Sequence, residues 1–162
     1  MLVADLIENF EIDFVYYLQP VRNNIMENSK FTRLVYSNEH CSLNSIYLIL
    51  DIKGEIICDK YYNKFKYSFN VKSNSWLIES LTKIERDILK QVCIQKEMKC
   101  SLNQQFSSGC IKLLDVLSSG GDILLKISGI WETDTDYGLT YKFISCRSVV
   151  NHPLCSNSKL HK

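Results

Sequence analysis

The sequence predicts a mainly β domain with one helix in its middle, and three observations lead to that prediction. Several short segments alternate apolar and polar residues with the period of two that is typical of strands. One segment, which begins at Ser73, repeats apolar residues at helical spacing instead. Glycine, serine and asparagine residues separate many of these segments, as turns require. With 162 residues, of which 46% are hydrophobic, the chain has enough apolar material for one buried core.

The first 28 residues predict an acidic helical arm. Four apolar residues recur at the spacing of one helix stripe: Leu2, Leu6, Phe10 and Phe14. Residues 1–29 carry five acids and one base, a net charge of −4. We expect Pro20 to end this helix or to begin a new element, because proline lacks the amide hydrogen that a helix interior needs. We therefore divide the chain into an arm (1–28), a domain (29–147) and a basic tail (148–162).

The strands predicted within the domain lie on both sides of the helix. Before the helix they form three regions: 31–36, 45–52 continued after a Lys53-Gly54 turn by 55–58, and 64–71. After the helix two or three more follow, at 110–117, 123–131 and 138–146. Ser73, Asn74 and Ser75 offer N-cap oxygens for the helix, which continues to about residue 92. This element order is that of an OB-fold, a five-stranded Greek-key barrel. We expect an OB-like barrel of five or six strands with one helix between strands 3 and 4. An open α+β sheet is the alternative that the same order permits.

The segment 60–72 combines positive charge with aromatic rings. It holds four lysines, five aromatic residues and no acid. Proteins that bind single-stranded nucleic acid need cations along the phosphates and rings that stack on the bases. The candidate ligand contacts here are Lys60, Tyr61, Tyr62, Lys64, Lys66 and Tyr67. The alternative is that Phe65, Tyr67 and Phe69, which alternate onto one face, fill the core.

The segments 123–131 and 138–146 predict a long hairpin with a second set of candidates. Gly129 removes a side chain within a strand, which suits a bend or the close approach of another backbone. Trp131 ends its strand, and Lys126 and Lys142 fall where neighbouring strands could carry one phosphate track. The candidate contacts on this hairpin are Lys126, Trp131, Tyr141 and Lys142. The alternative is that Trp131 packs over the helix while the lysines are solvated edge charges.

The stretch from Lys126 to Phe143 resembles the closing hairpin of small single-stranded-DNA-binding proteins from DNA viruses and mobile elements. The similarity covers about 20 residues, from Lys126-Ile127-Ser128-Gly129-Ile130-Trp131-Glu132 to Gly138-Leu139-Thr140-Tyr141-Lys142-Phe143. It implies an OB barrel that coats unwound DNA during replication or recombination, in the nucleus or a viral replication compartment. Such proteins often end in an acidic tail, whereas this chain ends with a basic one.

Catalysis and metal binding find little support in the sequence. It contains no glycine-rich phosphate loop, no Gly-x-Ser-x-Gly and no His-Glu-x-x-His. Cys93 and Cys100, like His152 and Cys155, lack the spacing of common zinc sites. We therefore expect no enzymatic activity, no catalytic residues, no metal and no cofactor.

Composition bears on the cellular location and on partners. No apolar run approaches the roughly 20 residues of a membrane helix, and the N-terminal residues lack the basic start of a secretory signal. Seven cysteines without repeated spacing favour reduced thiols inside a cell. The first hypothesis is an intracellular binder of single-stranded DNA or RNA, with no membrane contact. The second is a protein-interaction module, such as a viral accessory or host-interaction factor, whose arm (1–28) docks on a partner or on a second copy.

Overall fold

A computed structural model describes residues 4–117 and 120–147, which form two β-sheets and two α-helices. The strands are β1 (Asp5–Leu6), β2 (Val15–Tyr17), β3 (Val21–Arg22), β4 (Lys30–Ser37), β5 (Ser42–Asn44), β6 (Ile46–Leu50), β7 (Ile57–Tyr61), β8 (Lys64–Ser68), β9 (Glu97–Lys99), β10 (Cys110–Leu113), β11 (Asp122–Glu132) and β12 (Asp136–Cys146). The helices are α1 (Ser75–Lys90) and α2 (Ser101–Ser107). The mainly β class that the sequence predicts is confirmed. In the described ranges neither helix has the length and apolar composition to cross a bilayer.

The hairpin of β11 and β12 is the centre of the larger sheet. β6 pairs antiparallel with the first half of β11, and β4 pairs antiparallel with its second half. The path of hydrogen-bonded strands is β1–β6–β11–β12–β9, and β2, β3 and β5 are added through β4. β10, β8 and β7 form a separate, antiparallel, smaller sheet.

One extra residue interrupts the central hairpin at Ser128. Ile127 lies opposite Tyr141 but Gly129 lies opposite Thr140, so Ser128 is a bulge in β11. A bulge shifts the alternation of side chains by one residue. Trp131 therefore lies on the same face of the sheet as Lys126, although a regular strand would place residues five apart on opposite faces.

The two helices cover one face of the larger sheet, which we call the covered face. α1 turns one apolar stripe inwards, with Leu77, Leu81, Ile84, Ile88 and Leu89 buried. α2 adds Phe106, whose ring centroid lies 6.0 Å from that of Phe143 on β12. The core therefore sits between this face and the helices.

Glu85 is a charged residue of α1 that is 0% exposed. One of its carboxylate oxygens accepts a hydrogen bond from the Leu102 amide at 3.0 Å, and the other accepts one from the Asn103 amide at 2.9 Å. These amides lie in the first turn of α2, where a helix offers its own N–H groups no partner. Burial raises the pKa of the Glu85 carboxyl above its usual range. Glu85 thus joins α1 to the start of α2.

The closed OB-like barrel predicted from the element order is wrong. The strand path of the larger sheet ends at β1 and β9, and the described residues contain no pairing between these two strands. The hairpin of β7 and β8 does not join the larger sheet. β8 pairs with β7 and β10, and it forms no pairing with β4 or β6 in the described residues. Element order alone cannot determine which strand edges meet. The architecture is two open sheets, and two α-helices stand where the barrel prediction had one.

The helical arm predicted for residues 1–28 is also wrong within the described part. Residues 4–28 form β1, β2 and β3 with short 3₁₀ turns between them. Ile7 and Val15, which the four-residue stripe leaves out, are buried. Phe10 stacks on Tyr36 with 5.7 Å between the ring centroids. The segment has more apolar residues than one helix stripe can bury. It packs instead as short strands along β4 and β6 of the larger sheet. Leu2 and the tail 148–162 lie outside the described residues.

Candidate functional site

The second face of the larger sheet carries cations and rings that the helices do not cover. Strand register places Lys126 opposite both Lys142 and Tyr47, and Trp131 opposite Phe31. Residues directly opposite share a face of the sheet. We call this surface the open face and define it by six side chains: Phe31, Arg33, Tyr47, Lys126, Trp131 and Lys142. Arg33 and Lys142 are exposed, and the other four are half-buried.

Two glycines allow aromatic rings to lie flat on this face. A Cβ at Gly129 would collide with the Phe31 ring and with the Thr32 carbonyl oxygen. A Cβ at Gly138 would lie 2.8 Å from a Trp131 ring atom and 2.9 Å from the Lys99 carbonyl oxygen. Each ring therefore rests on backbone that has no side chain. The predicted close approach at Gly129 is confirmed, and the neighbours are Thr32 and Phe31.

A cleft of about 630 Å³ lies over these rings. Its size falls within the range of about 300–1,000 Å³ that holds small organic ligands. Phe31 and Trp131 contribute its aromatic surface, and the described lining residues include three cations and no acid: Arg22, Arg33 and Lys126. The cleft therefore suits a ligand that has both a planar group and negative charge.

The cations of the open face lie close to its rings and to one another. The Arg33 guanidinium carbon is 5.9 Å from the centroid of Phe31, and the Lys126 ammonium is 5.5 Å from the centroid of Tyr47. Lys126 and Lys142 are directly opposite, an arrangement of like charges that destabilises a sheet. Among the described residues neither lysine forms an ion pair with an acid. An anionic ligand would offset this repulsion.

The outer side of the smaller sheet holds a second basic and aromatic surface. Tyr61, Lys64, Lys66 and Lys112 share this face by register, and so does Asp59. The Lys112 ammonium lies 5.1 Å from the centroid of Tyr61. Next to Tyr61, the hairpin turn holds Tyr62, which is 82% exposed and has a left-handed φ of 53°. Tyr61 thus lies at the end of strand β7, and Tyr62 projects from the turn that follows it.

Two tyrosines that the sequence suggested as ligand contacts point into the core. Tyr67 is 4% exposed, and its hydroxyl accepts a hydrogen bond from the Leu117 amide at 2.7 Å. Tyr141 lies on the covered face, and its hydroxyl donates to Gln105 Oε1 of α2 at 2.8 Å. Burial raises the pKa of both hydroxyls. The alternation that leads into the core explains both placements. The buried Tyr67 ring cannot stack on a base, whereas Tyr141 is half-buried and is also one of the residues that line the cleft.

The other eight candidates lie at the surface but not together. Lys126, Trp131 and Lys142 belong to the open face, so the alternative that Trp131 packs over the helix does not hold. Lys60 lies on the opposite side of the smaller sheet from Lys64 and Lys66, because its register partner is Phe65. The ten candidates therefore divide into the open face, the smaller sheet and the core.

Sequence reasoning missed Phe31, Arg33, Tyr47 and Arg22 as candidate ligand contacts. The alternation of Phe31 and Arg33 was a signal, because it puts a ring and a cation on one side of β4. Without a view of which side the helices cover, that alternation only indicates a strand.

Comparison with known proteins finds no family model, curated protein or solved structure that matches this chain. Among the described residues, no group of three or more His, Cys, Asp or Glu side chains is placed to hold a metal ion.

Proposed function

We propose that this chain binds single-stranded nucleic acid on the open face of the larger sheet and that it does so without catalysing a reaction. One observation carries the proposal: cations and half-exposed rings share one uncovered face, and the described residues that line its cleft include no acid. Phosphates need the first feature and unpaired bases need the second. A closed barrel is not part of this proposal.

Five groups of the open face, together with Arg22 of the cleft, have roles in this proposal. Phe31 and Trp131 stack on bases, which contributes about 1–3 kcal/mol for each base. Arg22, Arg33, Lys126 and Lys142 neutralise phosphates. Neutralising about four phosphates of a single strand gives a slope near −3 in a plot of log K against log salt concentration.

The resemblance of the β11–β12 hairpin extends the proposal to a biological setting. The proteins that it resembles support replication or recombination of viral and mobile-element DNA. We propose the same setting for this chain, with action in the nucleus or in a viral replication compartment. Single-stranded RNA is an alternative ligand, because the cleft needs only bases and phosphates.

The test is a fluorescence titration of a labelled 20-mer of thymidylate at two salt concentrations. The variant Lys126→Ala with Lys142→Ala should bind more weakly and show a shallower salt dependence. The matched control is Lys72→Ala with Lys90→Ala, which removes the same charge from exposed lysines outside the open face. If both double variants weaken binding equally, the attraction is non-specific and the proposal fails.

A second candidate function, protein interaction, is favoured by exposed apolar residues beside the cleft. Val21, Ile25 and Met26 line the cleft and are largely exposed. A partner or a second copy docked there would bury them. Light scattering on the chain with and without Ile25→Ser would test self-association. A dimer that the substitution dissociates, together with no oligonucleotide binding, would favour this second function.

A further inference from the structure

The loop between β3 and β4 contributes to the lining of the cleft and forms hydrogen bonds within itself. We call residues 23–29 the rim loop. Asn23 Oδ1 accepts hydrogen bonds from the amides of Ile25 and Met26 at 3.0 and 3.4 Å. The loop is closed by the Asn23 amide, which donates to the Ser29 carbonyl at 2.9 Å, and by the Ser29 hydroxyl, which donates to the Met26 carbonyl at 2.7 Å. These four hydrogen bonds define the backbone conformation of the loop.

This ordered loop presents apolar side chains to solvent. Ile25 is 96% exposed and Met26 is 40% exposed, and both line the same cleft as Phe31 and Trp131. The hydrogen bonds of Asn23 and Ser29 fix the backbone of the loop while nothing in the described residues buries Ile25. An exposed apolar group on an ordered support is a typical binding element.

The charge of the cleft selects among ligands that could cover Ile25. An apolar side chain of a partner protein would bring no charge to satisfy Arg22, Arg33 and Lys126. A nucleotide brings both a flat apolar base and a phosphate. Inside a duplex the faces of each base are covered by its stacked neighbours, so only an unpaired base can enter between two surfaces.

We infer that the cleft holds one unpaired base between the rim loop and the rings, with Ile25 and Met26 on one side and Phe31 and Trp131 on the other. This inference rests on the proposed function and adds the recognition of a base to that of the phosphates. Asn23 acts as a positioning residue, because its side chain holds the loop above the cleft. The chain should then discriminate against strands that lack bases.

The experiment compares a labelled 20-mer of thymidylate with an abasic strand of the same length and phosphate number. The unmodified chain should bind the thymidylate strand at least about tenfold more tightly. Ile25→Ser with Met26→Ser should reduce this ratio severalfold and leave the affinity for the abasic strand unchanged. Asn23→Ala should reduce the ratio as well, because it releases the loop without removing an apolar side chain.

Leu114→Ser with Val116→Ser is the matched control, since it replaces two exposed apolar residues that do not line the cleft. It should leave the ratio unchanged. Circular dichroism spectra establish that each variant is folded.

The outcomes separate this inference from the proposed function. If the unmodified chain binds neither strand, the proposed function fails. If it binds both strands equally, or if the rim-loop variants keep the full ratio, the base-holding cleft is overturned while binding of single strands survives. An equal loss of affinity for both strands by the folded rim-loop variants would also overturn it, because that pattern shows that the loop does not act through a base.

Discussion

On the covered face of the larger sheet, aromatic and charged side chains have partners on all sides, whereas on the open face they keep one side towards solvent. Tyr141 is hydrogen-bonded to Gln105, and the adjacent Lys142 is exposed on the other face. Glu85 of α1, the helix that packs on the covered face, accepts hydrogen bonds from two amides, but Lys126 on the open face is opposite a second lysine. The covered face therefore supports the fold, and the open face is the surface on which we propose binding.

The largest effect should come from removing both rings of the open face. Phe31→Ala with Trp131→Ala should weaken binding of the thymidylate strand by about 2–6 kcal/mol, because in the proposed complex each ring stacks on one base. A fluorescence titration measures this loss, and urea unfolding checks that the variant is folded. Tyr61→Ala with Tyr62→Ala removes two rings from the smaller sheet and should cost much less. An equal loss in both variants would show that the open face is not the main site.

In helix α1, which packs on the covered face, Glu85→Ala should lower the free energy of unfolding by about 2–4 kcal/mol. The change leaves the buried amides of Leu102 and Asn103 without an acceptor. Urea denaturation measures it, with Glu79→Ala as the control on the exposed side of the same helix. The affinity of the folded variant for the oligonucleotide should not change. If the folded Glu85→Ala variant bound the oligonucleotide more weakly, the separation of a supporting face from a binding face would be contradicted.

Gly129→Ala should affect both properties, because Gly129 supports the Phe31 ring. The added methyl group meets the Thr32 carbonyl, which belongs to the backbone and cannot move freely. We expect a loss of about 1–3 kcal/mol in unfolding free energy, typical of overpacking, together with weaker oligonucleotide binding. Ser128→Ala at the neighbouring bulge should change neither quantity much. Unaltered stability of Gly129→Ala would mean that β4 moves away easily.

A smaller effect is expected for Tyr141→Phe, which removes one hydroxyl from the covered face. It should lower the unfolding free energy by about 0.5–1.5 kcal/mol, the net contribution of one hydrogen bond, and leave binding unchanged. Lys142→Ala next to it should do the opposite and weaken binding without lowering stability. Thermal unfolding and titration of both variants give the comparison. If Tyr141→Phe and Lys142→Ala changed stability and binding in the same way, the assigned difference between the two faces would be wrong.

The smallest effect concerns pH. Because burial raises the pKa of Glu85 in the folded chain, the folded state holds this proton more tightly than the unfolded state. Its contribution to stability is therefore fully present below the ordinary pKa of 4.5 and is lost as the pH rises through the raised value. The stability of the unmodified chain relative to Glu85→Gln should fall over that window. Urea denaturation at several pH values measures the difference, and a rising difference would contradict the assignment.

Part of the fold could be predicted because local patterns determine it. The predicted hairpin of 123–131 and 138–146 corresponds to β11 and β12, and the helix that begins after Ser73 corresponds to α1. Both depend on periodicity over ten or more residues. Closure of a barrel cannot be predicted from such periodicity, because it depends on pairing between strands that are distant in the sequence, such as β4 and β8.

Only the part of the candidate site that lies on the β11–β12 hairpin was predicted from the sequence. Lys126, Trp131 and Lys142 were found from their own strands, although regular alternation would have put Trp131 on the face opposite Lys126. Phe31 and Arg33 lie almost 100 residues earlier in the chain and reach the same face only through the pairing of β4 with β11. The contiguous segment 60–72 was favoured because proximity in sequence is visible and proximity in space is not.

The bulge at Ser128 also has a consequence for changes in the length of this chain. Deleting Ser128 would give a regular hairpin in which all the remaining side chains stay on their present side of the sheet. Inserting one residue into the first half of β11 would instead invert everything between the insertion and the bulge, and would drive Lys126 into the core. Length variation among natural variants should therefore be tolerated at this position and rejected a few residues away.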